Sequence, residues 1–402
     1  MSSEHLQVVT VEFQSANLLE ELEDPRGLAW VQHGEGLVAW GQAARITVDP
    51  GTDRFDRATA ALNKLFSTLD VTDEVGEPGT GPVAFGTFTF DPLEAGSVLI
   101  VPSIVVGRRE GRSWITRIGR EPKFDRAEAP EDDRIRYWGP SAPEVGWLDA
   151  VATAEKAVRN GELEKVVLAR DMRVWSKTEL SPRRLVKRLA ERFPECYSFS
   201  VGGLIGATPE LLVRTKGAHV TSVILAGSIR RGADEAEDEV LGRQLLDSAK
   251  DAVEHDIAVR SVSELLPEFC ESLSIAESPR LLKLANVQHL ATEIQGEMRS
   301  TYSALEVAGT LHPTAAVCGL PRAGAMDMIR RLEGMSRARY AGPVGWVDAQ
   351  GNGEWGIALR CAELDGGNAR LFAGGGIVAG STPEGELDET RIKLLAMQSA
   401  LG

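Results

Sequence analysis

Glu386, Glu389 and Lys393 fall three and four residues apart near the end of this 402-residue chain. On a helix, that spacing places all three on one face. Just upstream, the apolar run Leu371–Ala373 leads into Gly374, Gly375 and Gly376, and then into Ser381-Thr382-Pro383, a helix start. Glycine carries no Cβ, so backbone can come close to a ligand there and positive φ is cheap. A bare backbone wall beside carboxylates and an ammonium suits a small anion held together with a hard cation. The triplet by itself equally suits a plain tight turn, and it is not the GxxxxGK[ST] phosphate loop.

Further residues could carry chemistry. Lys165 opens the apolar run KVVLARDMRVW just after a turn. There a lysine either snorkels to solvent or, if buried, has a lowered pKa and can act as a general base. Glu210, in GATPELLV, is either an edge-strand carboxylate or a partly buried one whose raised pKa suits a general acid. Arg360 ends GIALR among apolar neighbours and requires an anion, either a side-chain carboxylate or a ligand. His289 reads as a core or surface imidazole, and His5 and His33 are isolated. Glu254, in KDAVEH, fits a solvated helix face with Lys250 as its i,i+4 partner. Spacing alone does not join Glu254 to Glu389. With no HExxH, EF-hand loop or His/Cys cluster, an oxygen-ligated hard ion is expected rather than zinc.

The elements that must position these residues change character along the chain. Residues 1–140 read as β-rich scaffold. GLAWVQHGEGLVAWGQ forms two strands about Gly34-Glu35-Gly36, Phe55–Leu69 is an amphipathic helix, Val83–Asp91 alternates, and a hairpin turns at Glu110-Gly111. Glu121–Val145, rich in Pro, Asp and Glu, is the expected connector. In 141–402, helices are expected at Gly146–Asn160, from Ser181-Pro182 through Phe193, over one long stretch at Glu237–Leu266, near Ala325–Leu332 and at the C-terminus. Strands are expected at Lys165–Trp175, Tyr197–Ile205, Glu210–Thr215, Val220–Leu225 and through LLKLANVQHLATEIQGEM, with three more between Gly342 and Ile377. Strand runs with interspersed helices imply an α+β fold, and the two parts are expected to form one structural domain.

Composition narrows the partners. Net charge is −15, with 43% hydrophobic and 26% charged residues, no basic run and few aromatics. That pattern argues against nucleic acid. It also means that an anion site must invert the local field with Lys, Arg, a metal or backbone amides. No run reaches the roughly eighteen apolar residues of a membrane span. MSSEHLQVVTVEFQ has neither a basic nor an apolar signal region, so a cytoplasmic location is expected. The four cysteines are scattered and read as reduced core residues. No coiled coil or obvious apolar patch is visible, and a monomer is expected.

Taken in order, KVVLAR, GATPELLV, LAGSIRRG, KDAVEH, VQHLATEI, LHPTAAVCGLP, GIALRCAEL and AGGGIVAGSTPEGELDETRIKL resemble the chorismate-utilising enzymes, in particular their isochorismate synthase branch. The resemblance is close from Trp147 to the C-terminus and looser before it. It implies a single large unit of two packed antiparallel β-sheets flanked by helices. It implies that Lys165 activates water for attack at C2 of chorismate and that Glu210 protonates the departing C4 hydroxyl. It implies that Glu254 and Glu389 hold a Mg²⁺ ion bearing the ring carboxylate, with Glu386 assisting through water. Arg360 and Tyr340 would contact the enolpyruvyl carboxylate with amides of Gly374, Gly375 and Gly376. Lys393 and His289 would lie against the metal-bound end, and Gly227 and Ala316 would line the pocket. Without metal, the glutamates would repel the dianionic substrate, so Mg²⁺ is expected to be obligatory.

Three positions speak to the branch. Relatives that add ammonia at C2 to form anthranilate carry Gln where this chain has Lys165. The 4-amino-4-deoxychorismate synthases often carry a nucleophilic Lys where it has Ala226. Salicylate and anthranilate synthases, which go on to eliminate pyruvate, carry Thr where it has Ala316. The expected reaction is therefore a reversible conversion of chorismate to isochorismate. A salicylate synthase and a catalytically inert anion-binding homologue are the alternatives. Isochorismate feeds both menaquinone and siderophore synthesis, and the sequence does not choose between them.

Overall fold

The computed structural model of the chain describes residues 6–23, 26–119, 135–299 and 302–402. Strands from both ends of the sequence build two sheets, of thirteen and ten strands among the described residues. In the larger sheet, Leu28–Gln32 pairs with Tyr197–Val201, with Trp30 opposite Phe199. In the smaller, Val83–Thr87 pairs with Pro343–Asp348, with Phe85 opposite Trp346. Residues 1–140 and 141–402 thus contribute to the same sheets. Pairing is antiparallel except where Gln7–Glu12 runs parallel to Asp70–Asp73. Together with eight α-helices among the described residues, this is the expected α+β architecture.

Large aromatic side chains fill the space between the sheets. Trp30, Phe85, Phe199, Trp346 and Trp355 are almost fully buried in one core, and Trp30 stacks on Tyr197 at 5.0 Å. A second core lies outside the larger sheet, where Leu185 and Leu189 of Pro182–Arg192 and Leu394 and Met397 of Pro383–Leu401 cover Ile205 and Leu371. Both helices start as their sequences predict, on the side chains of Ser181 and Thr382, which accept from Arg184 N and Gly385 N. The cysteines are buried and free.

Several expected elements differ. The single helix Glu237–Leu266 is two, Glu235–Leu246 and Ala249–Ser263, because Ser248 accepts from Asp251 N at 3.2 Å and starts a new helix. Apolar periodicity continues across the break and hides it. Tyr197–Ile205 is a hairpin, Tyr197–Val201 and Leu204–Thr208, turning at Gly202 and Gly203 with φ of 58° and 88°. Four strands, not three, occupy Gly342–Ile377: Pro343–Asp348, Gly353–Ile357, Cys361–Asp365 and Asn368–Ile377. Three strands occupy 97–118, and the turn at Glu110 and Gly111 is where it was expected, both with positive φ. His5 and most of the connector Glu121–Val145 lie outside the described residues. The described part of that connector includes the strand Arg136–Gly139 and the first turn of the helix Glu144–Arg159.

Candidate active site

Lys165 begins the strand Lys165–Trp175, which pairs along its length with Asn368–Ile377. That register sets Val167 opposite Gly376, Leu168 opposite Gly375 and Ala169 opposite Gly374. The glycines therefore lie inside a strand and not in a turn, and none takes positive φ. What they provide is room. A Cβ on Gly376 would stand 2.1 Å from Glu254 Oε1 and 2.8 Å from Lys165 Cε. One on Gly374 would meet the Tyr340 hydroxyl at 3.0 Å, and one on Gly375 would meet Glu386 Oε2 at 2.5 Å.

A cavity between the sheets gathers most of the expected residues. Glu210, Gly227, Glu254, His289, Ala316, Tyr340, Arg360, Gly374, Gly376, Glu389 and Lys393 all line it. Lys165, Gly375 and Glu386 do not. Lys165 stands one layer behind, fully buried, with Nζ 3.0 Å from Glu254 Oε1 but not aligned for a hydrogen bond. Gly375 and Glu386 meet beside the cavity, consistent with an outlying place for Glu386.

Glu210 precedes the strand Leu211–Lys216 and is 3% exposed. Among the described residues its carboxyl has no hydrogen-bond partner. Burial raises its pKa to about 8 against the opposing pull of Lys165, Lys393 and Arg360, so it carries a proton at neutral pH. Glu389 behaves oppositely. Burial would raise it too, but Lys393 Nζ at 2.5 Å and the Ser228 hydroxyl, donating at 2.7 Å, hold it ionised.

Gly227 sits at a bulge between Ala226 and Ser228 in the strand His219–Arg230, with φ of 75°. Its carbonyl accepts from His289 Nδ1 at 3.1 Å, while His289 Nε2 lies 3.0 Å from Arg360 Nη2. A guanidinium can only donate, so His289 is neutral with its proton on Nδ1. Burial, reinforced by Arg360 and Lys393, takes its pKa down to about 3. Arg360 is 7% exposed and adopts φ of 47°, a strained conformation for a non-glycine residue. His289 is the one hydrogen-bond partner of its guanidinium among the described residues. This leaves a buried cation facing the cavity with no carboxylate side chain to satisfy it. Tyr340 stacks on Phe372 at 5.1 Å beside it.

The donor chemistry suits a hard cation. Glu254 and Glu389 share a cavity wall, and the buried Glu386 Oε2 has no hydrogen-bond partner. Among the described residues no three acidic, His or Cys side chains form a ready-made cage. Magnesium is commonly held by one or two carboxylates, with water and substrate completing its shell, and two glutamates at a cavity wall fit that habit. Sequence reasoning missed Ser228, which orients Glu389, and Arg337. Arg337 lines the cavity and donates to Val167 O at 2.7 Å and Val317 O at 2.8 Å from its buried pair with Glu333. It also missed Lys250's true partner, which is Glu386 at 3.2 Å and not Glu254. An i,i+4 rule sees only one helix, and this contact crosses between two.

The same large two-sheet α+β fold is found in solved structures. A putative 2,3-dihydroxybenzoate-specific isochorismate synthase, DhbC from Bacillus anthracis, superposes with a TM-score of 0.81 at 32% identity, covering 96% of this chain and 98% of that one. The menaquinone-specific isochorismate synthase MenF from Escherichia coli shares the fold, with a TM-score of 0.80 at 24% identity over 99% of this chain and 95% of that one. In sequence, the isochorismate synthase MenF of Bacillus subtilis is 34% identical, covering 82% of this chain and 77% of the relative. A family profile described as chorismate binding enzyme matches residues 17–402. The chain belongs to the chorismate-binding enzyme family.

Proposed function

We propose that this protein is an isochorismate synthase that interconverts chorismate and isochorismate in a magnesium-dependent reaction. The observation that carries the reading is the pairing of Glu210, protonated at neutral pH and set on the smaller sheet, with Lys165, buried on the larger. An exchange of hydroxyls between C2 and C4 of a diene needs a base for the entering water and an acid for the departing hydroxide. Lys165 takes the proton from water and Glu210 donates one at C4. Arg360 and Tyr340, with the backbone at Gly374 and Gly376, receive the enolpyruvyl carboxylate. Lys393, whose Nζ is tied to Gly374 O at 2.9 Å, adds positive charge at the other end. Magnesium held by Glu254 and Glu389 would supply the charge that lets a ring carboxylate approach two glutamates.

Ala316 has no hydroxyl to direct at the substrate, which favours release of isochorismate over elimination of pyruvate. Incubation with chorismate and Mg²⁺, with products resolved by chromatography, tests both points. Isochorismate is the expected product. Salicylate with pyruvate as main products would overturn the Ala316 argument, and no turnover would overturn the enzymatic reading. Reversible silencing by EDTA is expected, and full activity in EDTA would remove the metal from the mechanism. The proposal includes a cytoplasmic monomer. Among the described residues no helix is long and apolar enough to cross a membrane.

A further inference from the structure

Three carboxyl groups, Glu254 and Glu389 on the cavity wall and Glu386 beside it, are each drawn to a different lysine. Glu254 Oε1 is 3.0 Å from Lys165, Glu389 Oε1 is 2.5 Å from Lys393, and Glu386 Oε1 is 3.2 Å from Lys250. Each of these carboxyl groups thus has a lysine Nζ within 3.2 Å. Among the described residues no three acidic, His or Cys side chains converge into a ready-made metal cage.

The three lysines are not equivalent. Lys165 is fully buried, and Lys393 is anchored a second time on Gly374 O. Lys250 is the most open, with 39% of its side chain exposed. Glu386 is its single hydrogen-bond partner among the described residues. It lies in the first turn of Ala249–Ser263, one turn before Glu254 on the same face. Its flexible four-carbon stem lets the ammonium leave for solvent at little cost.

We propose that Lys250 is a displaceable counter-cation: it occupies the charge position beside Glu386 in the metal-free chain and sets the affinity for divalent metal by competing for that position. The inference rests on the reading of Glu254 and Glu389 as metal ligands. With the ammonium swung out, Glu386 Oε1 would be released beside the already unpartnered Oε2, leaving the carboxyl free to help hold a cation's water. The role concerns metal uptake and not the chemical step.

The test is Mn²⁺ binding to substrate-free protein, followed by the loss of the free-ion electron paramagnetic resonance signal. Lys250→Gln should bind Mn²⁺ at least about fivefold more tightly than wild type, because the positive charge beside Glu386 is removed. Lys250→Arg, which keeps the charge, should stay within about twofold of wild type by the same Coulomb argument. Lys64→Gln, an equal loss of charge at an exposed site in Arg54–Phe66, should leave affinity unchanged. Equal or weaker binding by Lys250→Gln, or an equal gain in Lys64→Gln, would overturn the inference alone. Absence of Mn²⁺ uptake by all four proteins, or uptake by wild type that Glu254→Gln does not weaken, would overturn the metal reading and the inference with it.

Discussion

Glu210, immediately before the strand Leu211–Lys216, and Glu354, on the strand Gly353–Ile357 that pairs with it, are 3% and 6% exposed, yet they hold opposite charge states. Glu354 accepts from Trp30 Nε1 at 2.8 Å and from Arg109 Nη2 at 3.1 Å, with Arg214 Nε 3.2 Å away. Burial would raise its pKa, but these partners overcome that and keep it below the ordinary value. Glu210 has cations nearby and none in contact, so burial wins. Burial alone therefore does not make a catalytic acid. An unfilled coordination shell does, and an equally buried glutamate with every lone pair engaged is a structural tie.

The largest expected effect comes from removing the open carboxyl. Glu210→Gln should lower kcat by about 10³-fold, the usual scale for a general acid, with little change in Tm. Retained turnover would erase the functional side of the contrast. The converse substitution, Glu354→Ala, should cost about 3 kcal/mol of stability in denaturant unfolding by leaving two arginines unpaired. Activity per folded molecule should survive, and a large loss of kcat in folded protein would mean that Glu354 also serves the reaction.

The two residues should also separate by pH. Glu210 must be protonated to act, so kcat/KM should fall about tenfold per pH unit once pH exceeds about 8. Its stability contribution has the same sign: fully present below the ordinary glutamate value of 4.5 and lost as pH rises through about 8. Glu354 is the mirror case, stabilising above 4.5 and losing that contribution as pH falls through its lowered pKa. A pH profile flat from 7 to 9.5 would contradict the Glu210 assignment. The smallest effect is expected from Arg109→Ala, about 1.5 kcal/mol, because Trp30 and Arg214 still hold Glu354.

This contrast also marks where sequence legibility ends. Both glutamates sit between apolar strand residues, PELLV and GEWGI, and present the same local pattern. Glu210 was legible through resemblance, and Glu354 was passed over because its partners come from Leu28–Gln32, Ile104–Arg109 and Leu211–Lys216. Features fixed by a few adjacent residues were readable, such as the turn at Glu110-Gly111 and the caps at Ser181 and Thr382. The break at Ser248 was not, since a polar cap inside a continuing apolar period leaves no signature. The strand setting of Gly374, Gly375 and Gly376 required the register with Val167, Leu168 and Ala169, which no local pattern carries.

That register bears on how the protein is made. The strand beginning at Lys165 finds its partner, Asn368–Ile377, only far later in the chain, and Glu389 and Lys393 follow later still. Strand pairs so distant in sequence close late and slowly. Before that strand is made, a chain already holding Lys165 and Glu210 has no wall beside Lys165 and, on the proposed reading, no seat for the substrate. Assembly of the proposed site should therefore wait on Asn368–Ile377 and the helix that follows it.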